Sequence, residues 1–286
     1  MNQIIIVNVV VFLVFAILNV FFTFAGEGLT FDVISTYLML PAHPSNFLSQ
    51  PWTIITYFFF HKGFFHILWN MLYMYWFGRI ISEYLGQNKL LGLYVWGGIG
   101  GGLLYMLVYN LMPYFENQVG GSFLLGASGC VVAIVVGAAT FQPNFAIHLL
   151  FLGAVRLKYI AAFTVLLSFI QSTGSNAGGE IAHLGGALVG YLSIKQLQNG
   201  NDWSRPVVSV ITWVKSLFKP QPKIKVSYKS TQSKKSNSST KTERKAAGQA
   251  KNDQAEIDAI LDKISEKGYD ALSKQEKQRL FNASKD

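Results

Sequence analysis

The sequence predicts an all-α membrane protein with six transmembrane helices, and three observations lead to this prediction. The 286-residue chain is 51% hydrophobic but only 14% charged, whereas an ordinary soluble domain has about 25% charged residues. Uncharged apolar runs at 4–25 and 90–112 are long enough to cross about 30 Å of hydrocarbon. Four further apolar stretches contain only a few polar residues. Membrane lipid is therefore the expected surrounding of most of the chain.

The first apolar run is longer than the core of a signal peptide, and no basic residue precedes it. We therefore expect a retained span rather than a cleaved leader. The segment 146–155 is apolar as well, but ten residues are too few to cross the bilayer, so we expect a buried or interfacial connection there. The predicted spans are 4–25, 64–81, 90–112, Ser128–Phe141, 159–171 and 181–194.

The basic residues of the apolar region predict its orientation. Arg79 and Lys89 lie after the second span, Arg156 and Lys158 after the fourth, and Lys195 after the sixth, whereas the third and fifth connections have neither Lys nor Arg. Short cytoplasmic loops are enriched in Lys and Arg. We therefore predict a multi-pass protein of the cell membrane with both termini in the cytoplasm.

The net charge of +9 is concentrated after the apolar region. Six basic and five acidic residues precede residue 201, and 18 basic and 10 acidic residues follow it. This distribution argues against a nucleic-acid-binding face on a globular fold. Near the C-terminus, Ser273 and Glu276 have the spacing of a capping box that opens a helix to about residue 283. The predicted organisation is a transmembrane domain at 1–200, an interfacial amphipathic segment at 201–220, a disordered basic linker able to contact anionic lipid at 221–252, and a short helical element at 253–286.

Three predicted spans carry polar residues at the end that the topology places outside the cell. His66 and Asn70 share one face of the second span because they are four residues apart. The fourth span begins at Ser128, and the sixth contains His183. Polar side chains inside a membrane are costly and usually serve a function. We therefore expect these four residues to form one site.

The residue types predict nucleophilic catalysis. A serine hydroxyl needs a base to accept its proton, and histidine is the usual base near neutral pH. Attack on a peptide carbonyl creates an oxyanion, which backbone N–H groups at a helix start and the His66 and Asn70 side chains can stabilise. A serine and a histidine on different helices can react only if those helices pack closely, and small residues allow close packing. The candidate helix-packing glycines are Gly126, Gly129, Gly186 and Gly190.

Three strings carry a resemblance to a known family: HKGFFHILWN at 61–70, GASG at 126–129 and AHLGGALVG at 182–190. Over about residues 50–195 the sequence resembles the rhomboid family of intramembrane serine proteases. The resemblance implies a six-helix core with a water-filled cavity, Ser128 as nucleophile, His183 as base, and an oxyanion hole of His66, Asn70 and Ser128. It also implies transmembrane protein substrates and no cofactor. Position 132 is Val, where many members have an aromatic residue.

The same residues allow other interpretations. Cys130 is turned about 200° from Ser128 on a helix, so we expect a packing role, and for Ser122 we expect a turn role. The spacing of the histidines does not fit a metalloprotease motif. A non-catalytic relative that binds membrane clients should lack the serine or the histidine, and a transporter should have inverted repeats. The sequence favours the protease over both.

Overall fold

The computed structural model describes residues 1–149, 153–218, 258–264 and 272–283. The chain divides into two compact units, of which the first ends at residue 221 and the second begins at residue 222. The predicted basic linker at 221–252 lies outside the described residues. The predicted helical element at 253–286 is described in part.

A helix covers each of the six predicted spans, with ends that differ from the predicted ones by a few residues. In the described part of the chain, the helices at Asn2–Phe24 and Gln87–Leu111 are long and apolar enough to cross a membrane, with mean hydropathies of 3.0 and 1.5. In chain order the helices of the first unit are α1 (Asn2–Phe24), α2 (Gly28–Thr36), α3 (Pro44–Ser49), α4 (Thr53–Thr56), α5 (Phe64–Tyr84), α6 (Gln87–Leu111), α7 (Ser128–Phe141), α8 (Leu157–Gln171), α9 (Ala177–Gln198) and α10 (Ser204–Phe218).

Two short pairs of strands accompany the helices. β1 (Leu40–Pro41) pairs antiparallel with β2 (Phe123–Leu124), and β3 (Ala146–Leu149) pairs antiparallel with β4 (Gly153–Arg156). The second pair occupies the segment for which a buried or interfacial connection was expected. Its described side chains are exposed or half-buried, which excludes the buried alternative, and the interfacial alternative stays a prediction. The strands instead satisfy their backbone groups by pairing with each other.

Helices α6, α7 and α9 pack together at the centre of the first unit, and glycines allow their backbones to meet. A Cβ atom on Gly186 would lie 2.1 Å from the carbonyl oxygen of Gly129, and one on Gly190 would lie 2.3 Å from that of Ala133. A Cβ on Gly97 of α6 would lie 2.4 Å from the Ala133 Cβ. A larger residue at these glycines would therefore force the helices apart.

Helix α1 is attached to this core by a buried hydrogen-bond chain. The Asn8 side-chain amide donates to the Tyr94 hydroxyl at 2.9 Å, and that hydroxyl donates to the Phe58 carbonyl at 3.1 Å. Elsewhere α1 exposes apolar side chains, among them Ile6 and Phe24. Such a surface is typical of a helix that faces lipid.

Helix α10, in the segment predicted to be interfacial, begins at an ionic cluster against α6. The carboxylate of Asp202 accepts hydrogen bonds from Lys89 and from the Ser204 backbone N–H and hydroxyl. Burial alone would raise the pKa of Asp202, but the bonds from Lys89 and Ser204 outweigh it and lower the pKa to about 2. The Trp96 indole donates to the Trp203 carbonyl at 2.7 Å. These bonds hold the start of α10 on α6.

The described part of the second unit contains two helices, α11 at 258–264 and α12 (Lys274–Ala283). The Ser273 backbone N–H donates to Glu276 at 2.7 Å, and the Glu276 N–H donates to the Ser273 hydroxyl at 3.3 Å. The predicted capping box at the start of α12 is therefore confirmed. Lys263 of α11 also pairs with Glu276 at 2.8 Å, which links the two helices.

We predict that Gly186→Ala destabilises the first unit. The added Cβ would overlap the Gly129 carbonyl, and such overpacking typically costs about 1–3 kcal/mol. The melting temperature of the purified protein in detergent measures the effect. Gly28→Ala is the matched control, because a Cβ at Gly28 meets nothing within 4 Å. Equal melting temperatures for the two variants would contradict the close contact of α7 and α9.

Candidate active site

A cavity of about 730 Å³ opens between α5, α7, α8 and α9. Aromatic and aliphatic side chains form most of its wall, and polar side chains from all four helices also line it. The four residues that the sequence predicted as catalytic or oxyanion-binding all line this cavity, together with three polar residues that it did not predict. These seven polar residues are His66, Asn70, Ser128, Thr164, Ser168, Glu180 and His183.

Ser128 is the first residue of α7. The tight turn before it depends on Gly126, whose φ of +106° is rarely adopted by residues with a side chain. The Gly126 N–H donates to the Tyr57 carbonyl at 2.9 Å, which fixes the turn to the preceding segment. The first N–H groups of a helix lack partners within the helix. The serine side chain is thus presented to the cavity beside free backbone donors.

His61 supports the same turn from outside the helices. Burial of its ring lowers its pKa to about 4, and the nearby His66 adds to the effect. The ring is therefore neutral near pH 7, so one nitrogen donates and the other accepts. Nε2 accepts the Ala127 N–H at 3.2 Å, and Nδ1 contacts the Phe59 carbonyl at 3.3 Å. The sequence resemblance gave His61 no role. His61 and Ala127 are 66 positions apart in the chain, so no local sequence pattern indicates this contact.

His183 reaches the cavity from α9 and is held on one side of its ring. Its Nδ1 atom lies 3.0 Å from the Ser168 hydroxyl and 3.1 Å from a Glu180 carboxylate oxygen. Its Nε2 atom is buried and has no hydrogen-bond partner among the described residues. The structure therefore contains no hydrogen bond between His183 and Ser128, although both side chains face the same cavity.

His66 and Asn70 come from the start of α5 and share one face, as their spacing predicted. The Asn70 amide is buried, and it donates to the backbone carbonyl of His66 at 2.8 Å. The His66 ring lies against Gly126, where an added Cβ would approach the ring Nε2 to 2.7 Å. The His66 ring therefore borders the turn that presents Ser128, and Asn70 lines the same cavity.

The competing nucleophiles lie elsewhere. Cys130 is fully buried, and a Cβ added at Gly98 of α6 would lie 2.8 Å from its sulfur. Ser122 follows a 3₁₀ turn, and its carbonyl accepts the Ala42 N–H at 3.0 Å. Neither residue is part of the cavity wall.

Glu180 and Ser168 are the two functional candidates that sequence reasoning missed. Glu180 precedes His183 by three residues, a spacing that puts both on one helix face, so the pattern could have indicated the pair. Ser168 belongs to α8, and its contact with His183 depends on how α8 and α9 pack. No spacing in the sequence indicates that contact.

Comparison with known proteins identifies the family. The Rhomboid domain family matches residues 48–197, slightly more than half of the chain. The chain belongs to the rhomboid family. The rhomboid family consists of integral membrane proteins, and two of the similar proteins are named rhomboid proteases. The resemblance predicted from the three sequence strings is confirmed.

Two of the similar proteins come from a plant and from a bacterium. The chain is 32% identical over 158 residues to the mitochondrial RHOMBOID-like protein 12 of Arabidopsis thaliana, covering 52% of this chain and 47% of that protein. It is 28% identical over 172 residues to the rhomboid protease GlpG of Haemophilus influenzae, covering 59% of this chain and 81% of that protein. The chain thus spans about half the length of the plant relative and about four fifths of the bacterial one.

The rhomboid domain includes the whole cavity. It begins within α3 and ends one residue before the end of α9, so α1, α2 and α10 lie outside the match. Residues 238–286 match a second family, DUF6576, which is a family of unknown function. The described part of this second match is α11 and α12. Every polar residue of the cavity wall therefore belongs to the rhomboid domain.

We predict that Gly126→Ala slows the reaction of Ser128 with a covalent serine-hydrolase probe. The new side chain would strain the turn at φ +106° and collide with the His66 ring. Gly153→Ala is the control, because Gly153 also has a positive φ, +68°, but an added Cβ meets nothing within 4 Å. Labelling rates per folded protein measure the effect. Equal slowing in both variants would contradict a specific role for the Gly126 turn.

Proposed function

We propose that the rhomboid domain hydrolyses peptide bonds in or near transmembrane segments of other membrane proteins, with Ser128 as nucleophile and His183 as base. One observation carries the proposal. The hydroxyl at the start of α7 and an imidazole whose Nε2 atom has no partner line the same cavity. A base in this state can accept the serine proton once a substrate brings the two groups together, since catalytic hydrogen bonds are often long before substrate binds.

The reaction has two stages. Ser128 attacks the carbonyl carbon while its proton passes to the His183 Nε2 atom, and that proton then passes to the leaving amine. Water hydrolyses the resulting ester by the same route in reverse order. No step needs a metal or a cofactor.

The oxyanion is assigned to donors at the start of α7 and on α5. The Ser128 backbone N–H is one donor, because the first N–H groups of a helix are free. His66 and Asn70 supply side-chain donors from α5, which lines the same cavity. Preorganised donors in a site with little competing water stabilise the developing charge strongly.

Six transmembrane spans with both termini in the cytoplasm complete the proposal. In that topology α5, α7 and α9 all begin on the outer side. His66, Ser128 and His183 all lie within the first two turns of these helices, so the topology places all three in the outer half of the membrane. The cavity is then supplied with water from outside the cell, as hydrolysis requires. The basic linker at 221–252 is proposed to contact anionic lipid.

The substrates are proposed to be transmembrane helices cleaved near their outer ends. A peptide bond inside a regular helix is shielded by its neighbours, so the substrate must unwind locally to reach Ser128. Helix-breaking or small residues are therefore expected at the cleavage site. Two alternatives are a non-catalytic protein that binds membrane clients and a transporter. Neither alternative explains why Ser128 and His183 line the same cavity.

We predict that Ser128→Ala and His183→Ala each reduce cleavage of a model transmembrane substrate to background, because nucleophile and base act as a unit. Ser122→Ala is the matched control and is expected to keep wild-type activity, since Ser122 lies outside the cavity wall. Cleavage by purified protein in detergent or liposomes is measured beside the melting temperature. Wild-type turnover in Ser128→Ala would overturn the assignment.

We predict that Asn70→Ala lowers kcat about 10²–10³-fold, which is typical of losing one oxyanion donor. Because the effect belongs to the transition state, the probe still labels Ser128, at a reduced rate. His66→Ala is measured in parallel, with kcat and melting temperature determined for each variant. Full kcat with a lowered melting temperature in both variants would assign these residues to packing and leave the Ser128 N–H as the oxyanion donor.

A further inference from the structure

Glu180 is an acidic side chain in the cavity wall to which the proposed reaction gives no task. Its side chain is 13% exposed, and that of His183, one helical turn further along α9, is 17% exposed. Glu180 is the one carboxylate among the described residues that line the cavity. A charge in such surroundings is costly unless it is paired. The Glu180 carboxylate therefore needs hydrogen-bond donors, and the His183 imidazole supplies one.

The contact lies on Nδ1, the ring nitrogen other than the buried, unpartnered Nε2. A Glu180 carboxylate oxygen is 3.1 Å from the His183 Nδ1 atom. An ionised carboxylate can only accept hydrogen bonds, so Nδ1 must carry the proton. In the neutral ring the lone pair then belongs to Nε2, which is the unpartnered atom. The pairing thus determines which nitrogen can act as base.

We propose that Glu180 is a positioning residue that holds His183 in the tautomer protonated at Nδ1, and thereby extends the serine–histidine pair to three residues. The proposal rests on the proposed function and deepens it. Ser168 also contacts Nδ1, at 3.0 Å, but a hydroxyl can donate or accept and so permits either tautomer. Only the contact with the Glu180 carboxylate restricts the His183 ring to one tautomer.

The carboxylate also compensates charge during the reaction. As the Ser128 Oγ–H bond breaks and the Oγ–carbon bond forms, the proton joins Nε2 and the ring becomes positively charged. Glu180 remains ionised beside Nδ1–H and stabilises that charge. When the carbon–nitrogen bond of the substrate breaks, the Nε2 proton passes to the leaving amine. Glu180 itself neither gains nor loses a proton.

The first test compares Glu180→Gln with Glu180→Asp. Glutamine keeps the size of the side chain, but its amide can donate to Nδ1 and so favours the tautomer in which Nε2 is protonated. We expect kcat for a transmembrane substrate to fall about 10²-fold or more with little change in KM. Glu180→Asp keeps the charge and is expected to recover part of the loss. Glu83→Gln, at an exposed carboxylate paired with Arg79, is the control and is expected to keep wild-type kcat.

The second test determines the tautomer directly. Nitrogen NMR of the full-length protein with isotope-labelled histidine distinguishes Nδ1–H from Nε2–H, and the His183 signal is assigned by its loss in His183→Ala. We expect Nδ1–H in the wild type and in Ser168→Ala, and a shift towards Nε2–H in Glu180→Gln. An Nε2–H tautomer in the wild type would overturn the proposal, even if Glu180→Gln proved too unstable for kinetics.

The two proposals fail in different ways. If Ser128→Ala or His183→Ala cleaves substrate normally, the proposed function is wrong. If both are inactive while folded Glu180→Gln keeps wild-type kcat, the serine–histidine mechanism stands and the positioning role of Glu180 is wrong.

Discussion

The contact between the backbones of α7 and α9 is the constraint on which the site depends. The Gly129 carbonyl occupies the space that a side chain at Gly186 would fill. This contact lies one residue after Ser128 and three residues after His183, so the spacing of the helices also determines the spacing of the proposed nucleophile and base. A pair on separate helices can react only if the helices are held this close. Stability and the proposed catalysis thus depend on the same two glycines.

The polar groups around this contact are mostly paired, as an apolar interior requires. The His61 ring holds the Ala127 N–H, the Asn70 amide holds a backbone carbonyl of its own helix, and Glu180 holds the Nδ1 atom of His183. The Nε2 atom of the same imidazole is left unsatisfied. An unmade hydrogen bond to a buried group costs about 1–3 kcal/mol. A substrate-bound serine that supplies this bond would recover that free energy.

Hydropathy and spacing predicted the long helices and four of the polar residues of the cavity, His66, Asn70, Ser128 and His183, because both depend on local patterns. The hairpin of β3 and β4 was not predicted, since a short apolar run fits a strand or a helix equally well. The contact of His61 with Ala127 was also hidden, because it joins residues far apart in the chain. The contact of Ser168 with His183 was hidden for a similar reason, because it depends on the packing of α8 on α9. What the sequence could not provide is therefore the set of contacts that tertiary structure creates.

The length of α7 has a consequence for where a bond can be cut. Fourteen residues extend about 21 Å, against roughly 30 Å for the hydrocarbon layer. A helix this short, with its inner end at the cytoplasmic boundary, begins about 10 Å below the outer boundary. In the proposed topology the proposed nucleophile therefore lies beneath the lipid headgroups. The proposed cleavage would then depend on the depth of a peptide bond in the bilayer as well as on its sequence.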